Sequence, residues 1–160
     1  MAPSTISILL AEDFEPCRRL IVSLLNENPA FQVRWEAFDG LEAVAKAQEL
    51  VPDVVLIDIS LPKLNGLDAA WRILDLIPSV KIIFLTQEAD VDVVKEAFRI
   101  GAWGYVLKQE VESDLLEALS AVFHNRRYLS RRLSPALAAM FINERPVTKQ
   151  NPSHTLTHLH

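Results

Sequence analysis

Asp53-Val54-Val55-Leu56-Ile57-Asp58 runs directly into Ile59-Ser60-Leu61-Pro62-Lys63-Leu64-Asn65-Gly66. Four consecutive apolar residues, three of them β-branched, stand between two carboxylates. A short unbroken apolar run of this kind predicts a strand buried on both faces, as in a parallel sheet. Asp58 then falls at the carboxyl end of the strand, on the edge where open α/β sheets bind ligands. Read alone, Asp58 serves equally well as the first residue of a turn, where Asp is common. The rest of the chain decides between the two.

The same alternation extends to either side. Residues 5–11 predict a first strand ending in Glu12-Asp13. Leu20, Ile21, Leu24 and Leu25 mark a helix over 14–27, closed by Asn28-Pro29. Residues 31–38, with Phe31, Val33 and Trp35 alternating against Gln32 and Arg34, predict a second strand, and 41–50 a helix stopped by Pro52. Beyond Asp58, a helix over 67–77 is stopped by Pro78, and a buried strand over 80–85 ends at Thr86. A helix over 91–100 is closed by Gly101 as its C-cap. A strand over 103–107 ends at Lys108, and 112–125 carry a last helix with Leu115, Leu116, Leu119 and Val122 on its stripe. Five strands alternating with five helices predict an α/β fold: a doubly wound parallel sheet with helices on both faces and right-handed crossovers.

Composition sets outer bounds. The 160 residues, half of them hydrophobic, suffice for one domain with an extension. A net charge of −5 argues against nucleic-acid binding through the whole surface. Cys17 is the only cysteine, which excludes an internal disulfide and a cysteine-rich metal site; it reads as a half-buried helical residue. The N-terminus lacks the basic flank and apolar core of a signal peptide, and no apolar run reaches the ~18 residues of a membrane span. A cytoplasmic location without membrane partners is the expectation.

Four of the five strand ends carry a reactive residue: Glu12-Asp13, Asp58, Thr86 and Lys108. A parallel sheet places all of these ends on one edge, so three carboxylates converge and repel one another. Mg²⁺, a hard cation that takes oxygen ligands, relieves that repulsion. A threonine hydroxyl and a lysine ammonium facing the metal suit a tetrahedral anion. Together these are the parts for phosphoryl transfer to a carboxylate, with Asp58 as nucleophile. Taken singly, the acids also read as helix N-terminal charges, Thr86 as a strand former and Lys108 as a surface lysine.

With these residues in place, the chain resembles the receiver domain of two-component response regulators, over residues 5–125. The resemblance rests on Glu12-Asp13, Asp58 with Pro62 and Gly66 four and eight residues beyond it, Thr86, Gly101-Ala102 and Tyr105-Val106-Leu107-Lys108. It implies the CheY-like, flavodoxin-like sheet order 2-1-3-4-5. It implies that Asp58 accepts a phosphoryl group from a phosphohistidine on a sensor histidine kinase or phosphotransfer protein. It also implies Mg²⁺ held by Asp13, Asp58 and the Ser60 carbonyl, with Glu12 acting partly through water. Thr86 and Lys108 would contact the phosphoryl oxygens, and Tyr105 would swing inward as Thr86 moves, repacking the surface of the fourth helix, fifth strand and fifth helix. Self-phosphorylation and autodephosphorylation are the only chemistry expected, so the chain is not read as an enzyme. Gln87 and Gln109 depart from the family pattern, and Ser60 and Glu88 occupy the positions that tune phosphoryl lifetime.

Three units are expected: a receiver over 1–126, an Arg-rich linker with a short helix over 127–143, and a disordered tail over 144–160. The stretch from Asn125 to Leu133 resembles the segment after the receiver in NarL/FixJ-type regulators, whose output is a helix-turn-helix. Only 18 residues follow Ile142, too few for that domain. The expectation is therefore a stand-alone receiver or a chain cut before its output domain, with DNA reached only through that missing domain. A second copy of the chain is a further expected partner. The arginines at 126, 127, 131 and 132 are expected to cap the last carbonyls of the fifth helix and solvate the linker rather than touch phosphates, and the tail histidines 154, 158 and 160 to hold no metal. The competing readings are a phosphorylation-independent pseudo-receiver used for docking or dimerisation, and a flavin binder or aspartyl phosphatase of similar fold.

Overall fold

The computed structural model describes residues 5–87 and 89–133. β3 (Val54–Asp58) is buried at every position and forms the middle of the sheet. β1 (Ile6–Ala11) and β2 (Phe31–Ala37) lie on one side of it, β4 (Lys81–Thr86) and β5 (Gly104–Leu107) on the other, all parallel. Their order is β2-β1-β3-β4-β5, as expected from the resemblance. A sixth strand, β6 (Tyr128–Leu129), extends the sheet by pairing in parallel with β5.

Strand alternation divides the core in two. Ile8, Leu10, Leu56, Ile83, Leu85 and Val106 face one side, beneath α1 (Glu15–Asn26) and α5 (Val111–Phe123). Leu9, Val55, Ile57, Ile82, Phe84 and Tyr105 face the other, beneath α2 (Gly40–Leu50), α3 (Gly66–Leu76) and α4 (Val91–Ile100). Each fully buried aliphatic contributes roughly 1.5–3 kcal/mol relative to exposure, so β3 is held from both faces. Right-handed crossovers between parallel strands demand helices on the two faces, and the apolar stripes of the helices supply the cover.

Three helices start on polar side chains that satisfy first-turn amides. Asp39 accepts from Glu42 N at 2.7 Å, Asn65 from Asp68 N at 3.0 Å and Asp90 from Asp92 N at 2.8 Å. α1 differs. Phe14 stands at its N-cap without a side-chain hydrogen bond, and Pro16 lies in its first turn. α4 ends at Gly101 with φ of 123°, the C-cap that the sequence predicts.

The part of the predicted linker within the described residues folds back on the sheet. Tyr128, Leu129 and Leu133 are buried. Ser130 N donates to the Tyr105 carbonyl at 3.0 Å, and Ser130 Oγ accepts from Leu107 N at 2.9 Å. At the end of α5 the Arg126 amide donates to the Ala121 carbonyl at 2.9 Å, and Lys81 Nζ, at the start of β4, donates to the Val122 carbonyl at 2.8 Å. The extended run through β6 carries Arg131 and Arg132 away from the helix end and onto its flank, where they pair with Glu117 and Glu110. Arg127 stacks over the Trp103 ring, 4.7 Å from its centroid, and Lys81 lies 4.4 Å from the same centroid. The short helix predicted after Pro135, the tail with its histidines, and Glu88 lie outside the described residues. Among the described residues no helix is long and apolar enough to cross a membrane.

Candidate functional site

The carboxyl edge of the sheet gathers residues that are far apart in the chain. Glu12 follows β1 directly and is wholly buried, whereas Asp13 is exposed. The Glu12 N–H donates to the Ala37 carbonyl at 3.0 Å, and its carbonyl accepts from Arg18 Nη1 at 3.1 Å. Its Oε2 accepts from Phe14 N at 3.0 Å, and its Oε1 lies 2.6 Å from Lys108 Nζ. The unusual start of α1 follows from this: the acid preceding the helix reaches the amide of its N-cap residue from outside the helix.

Asp58, at the end of β3, is almost fully buried. Its Oδ2 lies 3.2 Å from Lys108 Nζ, and its Oδ1 accepts from Ser60 N at 3.1 Å. Burial works against the charge of Lys108, but the hydrogen bond to Glu12 and the attraction of Asp58 outweigh it and hold its pKa above the ordinary lysine value. The group is therefore an ammonium at neutral pH. Carboxylate oxygens of Glu12, Asp13 and Asp58 lie within 4.8 Å of one another. Three carboxylates facing one ammonium leave two negative charges uncompensated in a largely buried corner, which is costly. An all-oxygen donor set with a water-accessible member, Asp13, fits a hard divalent cation such as Mg²⁺.

Thr86 ends β4 and is fully buried; strand alternation places it on the face shared by Phe84 and Tyr105. Tyr105 is also fully buried, in the core under α4. The loop after Asp58 is drawn in tightly, with Gly66 N donating to the Ile59 carbonyl at 2.7 Å.

Sequence reasoning missed one wall of the site. A cavity of about 560 Å³ opens above Asp58, Ser60 and Lys108, closed by Phe14, Pro16, Cys17 and Leu20 of α1 and by Gln87 and Gln109. The signal was present: positions 14, 17 and 20 recur at helical spacing directly after the acidic pair. Burial and the negative charge of Glu12 raise the Cys17 thiol to about 11, so it stands in this wall as a neutral group.

The doubly wound sheet, with an acid cluster and a lysine on its carboxyl edge, has the arrangement expected of a signalling receiver. Residues 8–120 match the family model of the response regulator receiver domain, and the chain belongs to that family. It is 35% identical over 145 residues to the transcriptional regulatory protein LnrK of Bacillus subtilis (strain 168), covering 91% of this chain and 64% of LnrK. It is 34% identical over 137 residues to the oxygen regulatory protein NreC of Staphylococcus aureus (strain JH9), covering 85% of this chain and 63% of NreC. The chain thus spans just under two thirds of the length of these relatives. Among solved structures, a two-component response regulator of the LuxR family from Aurantimonas sp. SI85-9A1 superposes with a TM-score of 0.76 at 31% identity, covering 87% of this chain and 96% of that one. The receiver domain of a putative response regulator NarL from Mycobacterium tuberculosis shares the fold, with a TM-score of 0.73 at 22% identity, covering 78% of this chain and all of that one.

Proposed function

We propose that Asp58 is the phosphoacceptor of a two-component pathway. An Asp58 carboxylate oxygen attacks the phosphorus of a phosphohistidine on a sensor kinase or phosphotransfer protein. The P–N bond breaks, its electron pair stays on the imidazole, and an acyl phosphate forms on Asp58. Mg²⁺, held by Asp13, Asp58 and the Ser60 carbonyl with Glu12 nearby, would supply charge neutralisation on the phosphoryl oxygens. Lys108 holds an ammonium beside the same oxygens, and Glu12 aims it. The added charge of about −1.5 to −2 draws Thr86 and Lys108 inward. Tyr105, on the Thr86 face, transmits the shift to the surface of α4, β5 and α5, which then selects the output. A cytoplasmic location and self-association through that surface go with this reading. So does a transcriptional output of the kind named for LnrK.

The observation that carries the proposal is the Lys108 ammonium lying between Glu12 and Asp58, at 2.6 and 3.2 Å, inside the acid cluster. Incubation with acetyl phosphate and Mg²⁺ should give a single hydroxylamine-labile mass adduct on Asp58, absent from Asp58→Asn. A wild-type chain that gains no adduct, from acetyl phosphate or from any phosphohistidine donor, would favour the phosphorylation-independent scaffold instead.

A further inference from the structure

Arg18 makes three contacts that join the loop bearing the acidic pair to the end of β2. Its Nη1 donates to the Glu12 carbonyl at 3.1 Å. Its Nε lies 3.0 Å from Glu36 Oε1 at the end of β2. Its guanidinium lies over the Phe38 ring, with Cζ 4.5 Å from the centroid. The side chain is mostly buried, at 16% exposure, whereas its neighbour Arg19 is 79% exposed and pairs along the helix with Glu15.

The Glu12 carbonyl is half of the peptide plane that leads into Asp13. Peptide planarity means that fixing this oxygen fixes the Asp13 amide as well. With Glu12 N already bound to Ala37, the peptide plane entering Asp13 is held on both sides, which leaves the dihedrals of Asp13 itself as the remaining freedom. Asp13 needs such support from outside, because it is the exposed member of the acid cluster and has no buried packing of its own. A lysine could replace the charge at position 18 but not the fork that reaches Glu12 and Glu36 together, nor the guanidinium over Phe38.

We propose that Arg18 is a positioning residue for divalent-cation binding: it anchors the Glu12–Asp13 peptide to the end of β2 so that the Asp13 carboxylate is presented to Asp58. The inference rests on the receiver reading given above. Groups that orient metal ligands without touching the metal are typically worth ~10- to 100-fold in affinity. Arg18 acts on a single backbone carbonyl, which places its effect at the lower end, about 10-fold.

The test is calorimetric titration of the full chain with Mg²⁺ alone, beside amide hydrogen exchange in metal-free protein. Arg18→Ala should bind Mg²⁺ about 10-fold more weakly and exchange faster at Asp13 and Phe14, and Arg18→Lys should recover only part of the loss. Glu36→Gln, which loosens the guanidinium without removing it from Phe38, should shift both readouts in the same direction by less, and it keeps the question open to measurement if Arg18→Ala misfolds. Arg19→Ala should match wild type. Equal affinity and exchange in wild type, Arg18→Ala and Glu36→Gln would overturn the positioning role. A wild-type chain that takes up no Mg²⁺ would overturn the receiver reading beneath it, while the exchange data would still report on the clamp.

Discussion

A Cβ on residue 66 would lie 2.1 Å from the Asp58 carbonyl oxygen and 2.7 Å from Ile59 Cα. Both are backbone atoms, and the Gly66 amide is itself bonded to Ile59, so the loop has no soft atom to move aside. Gly66→Ala should therefore cost roughly 1–3 kcal/mol. Urea unfolding should report this as a lower midpoint with an unchanged slope. From the sequence, Pro62 and Gly66 read only as loop punctuation. The glycine permits a loop folded hard against the end of β3, so that Ser60 N reaches the Asp58 carboxylate, an approach that only the tertiary structure decides. The charged strand ends differ. Glu12, Asp13, Asp58 and Lys108 were legible as a group, because each terminates a strand and a parallel sheet sends all such ends to one edge.

α2 begins on Asp39, whose carboxyl sits below the ordinary aspartate range because it accepts the Glu42 amide, with Lys63 adding to the effect against a smaller cost of burial. A depressed folded-state pKa contributes stability above the unfolded aspartate value and loses it as pH falls through the lowered one. α2 should thus fray in acid ahead of the sheet, and Asp39→Asn, which keeps an acceptor without the charge, should flatten that acid limb. Amide exchange at Leu41, Glu42 and Ala43, followed from neutral pH downward, measures both effects. The helices were readable because apolar spacing and capping residues are local. α1 was readable in position but not in its start, since its N-cap is served by a residue committed to the site.

At the outer edge of the sheet, residues 128–133 close what would otherwise be an open β5. Two backbone groups of β5 are satisfied by Ser130, one through its amide and one through its hydroxyl. Ser130→Ala removes the acceptor of a buried amide, Leu107 N–H, and should cost about 1–3 kcal/mol in chemical denaturation. Arg131→Ala, which breaks an exposed pair with Glu117, should be close to neutral. This strap runs beside Tyr105, so the surface assigned to output already carries part of the chain beyond α5. Nothing in the pattern of Tyr128-Leu129 distinguishes a strand from a linker, because a two-residue strand has no periodicity to read.

Periodicity, helix caps and breakers are written in neighbouring residues, and they determine the strand-helix alternation, the parallel sheet and the polar strand ends. The clamp of Arg18 on Glu12 and Glu36, the α1 wall over Asp58, the capping of α5 by Lys81 and the Ser130 strap join positions whose proximity no local pattern encodes. Those contacts arise only after hydrophobic burial has stacked the helices on the sheet, because that packing sets which distant side chains come within hydrogen-bonding reach of one another.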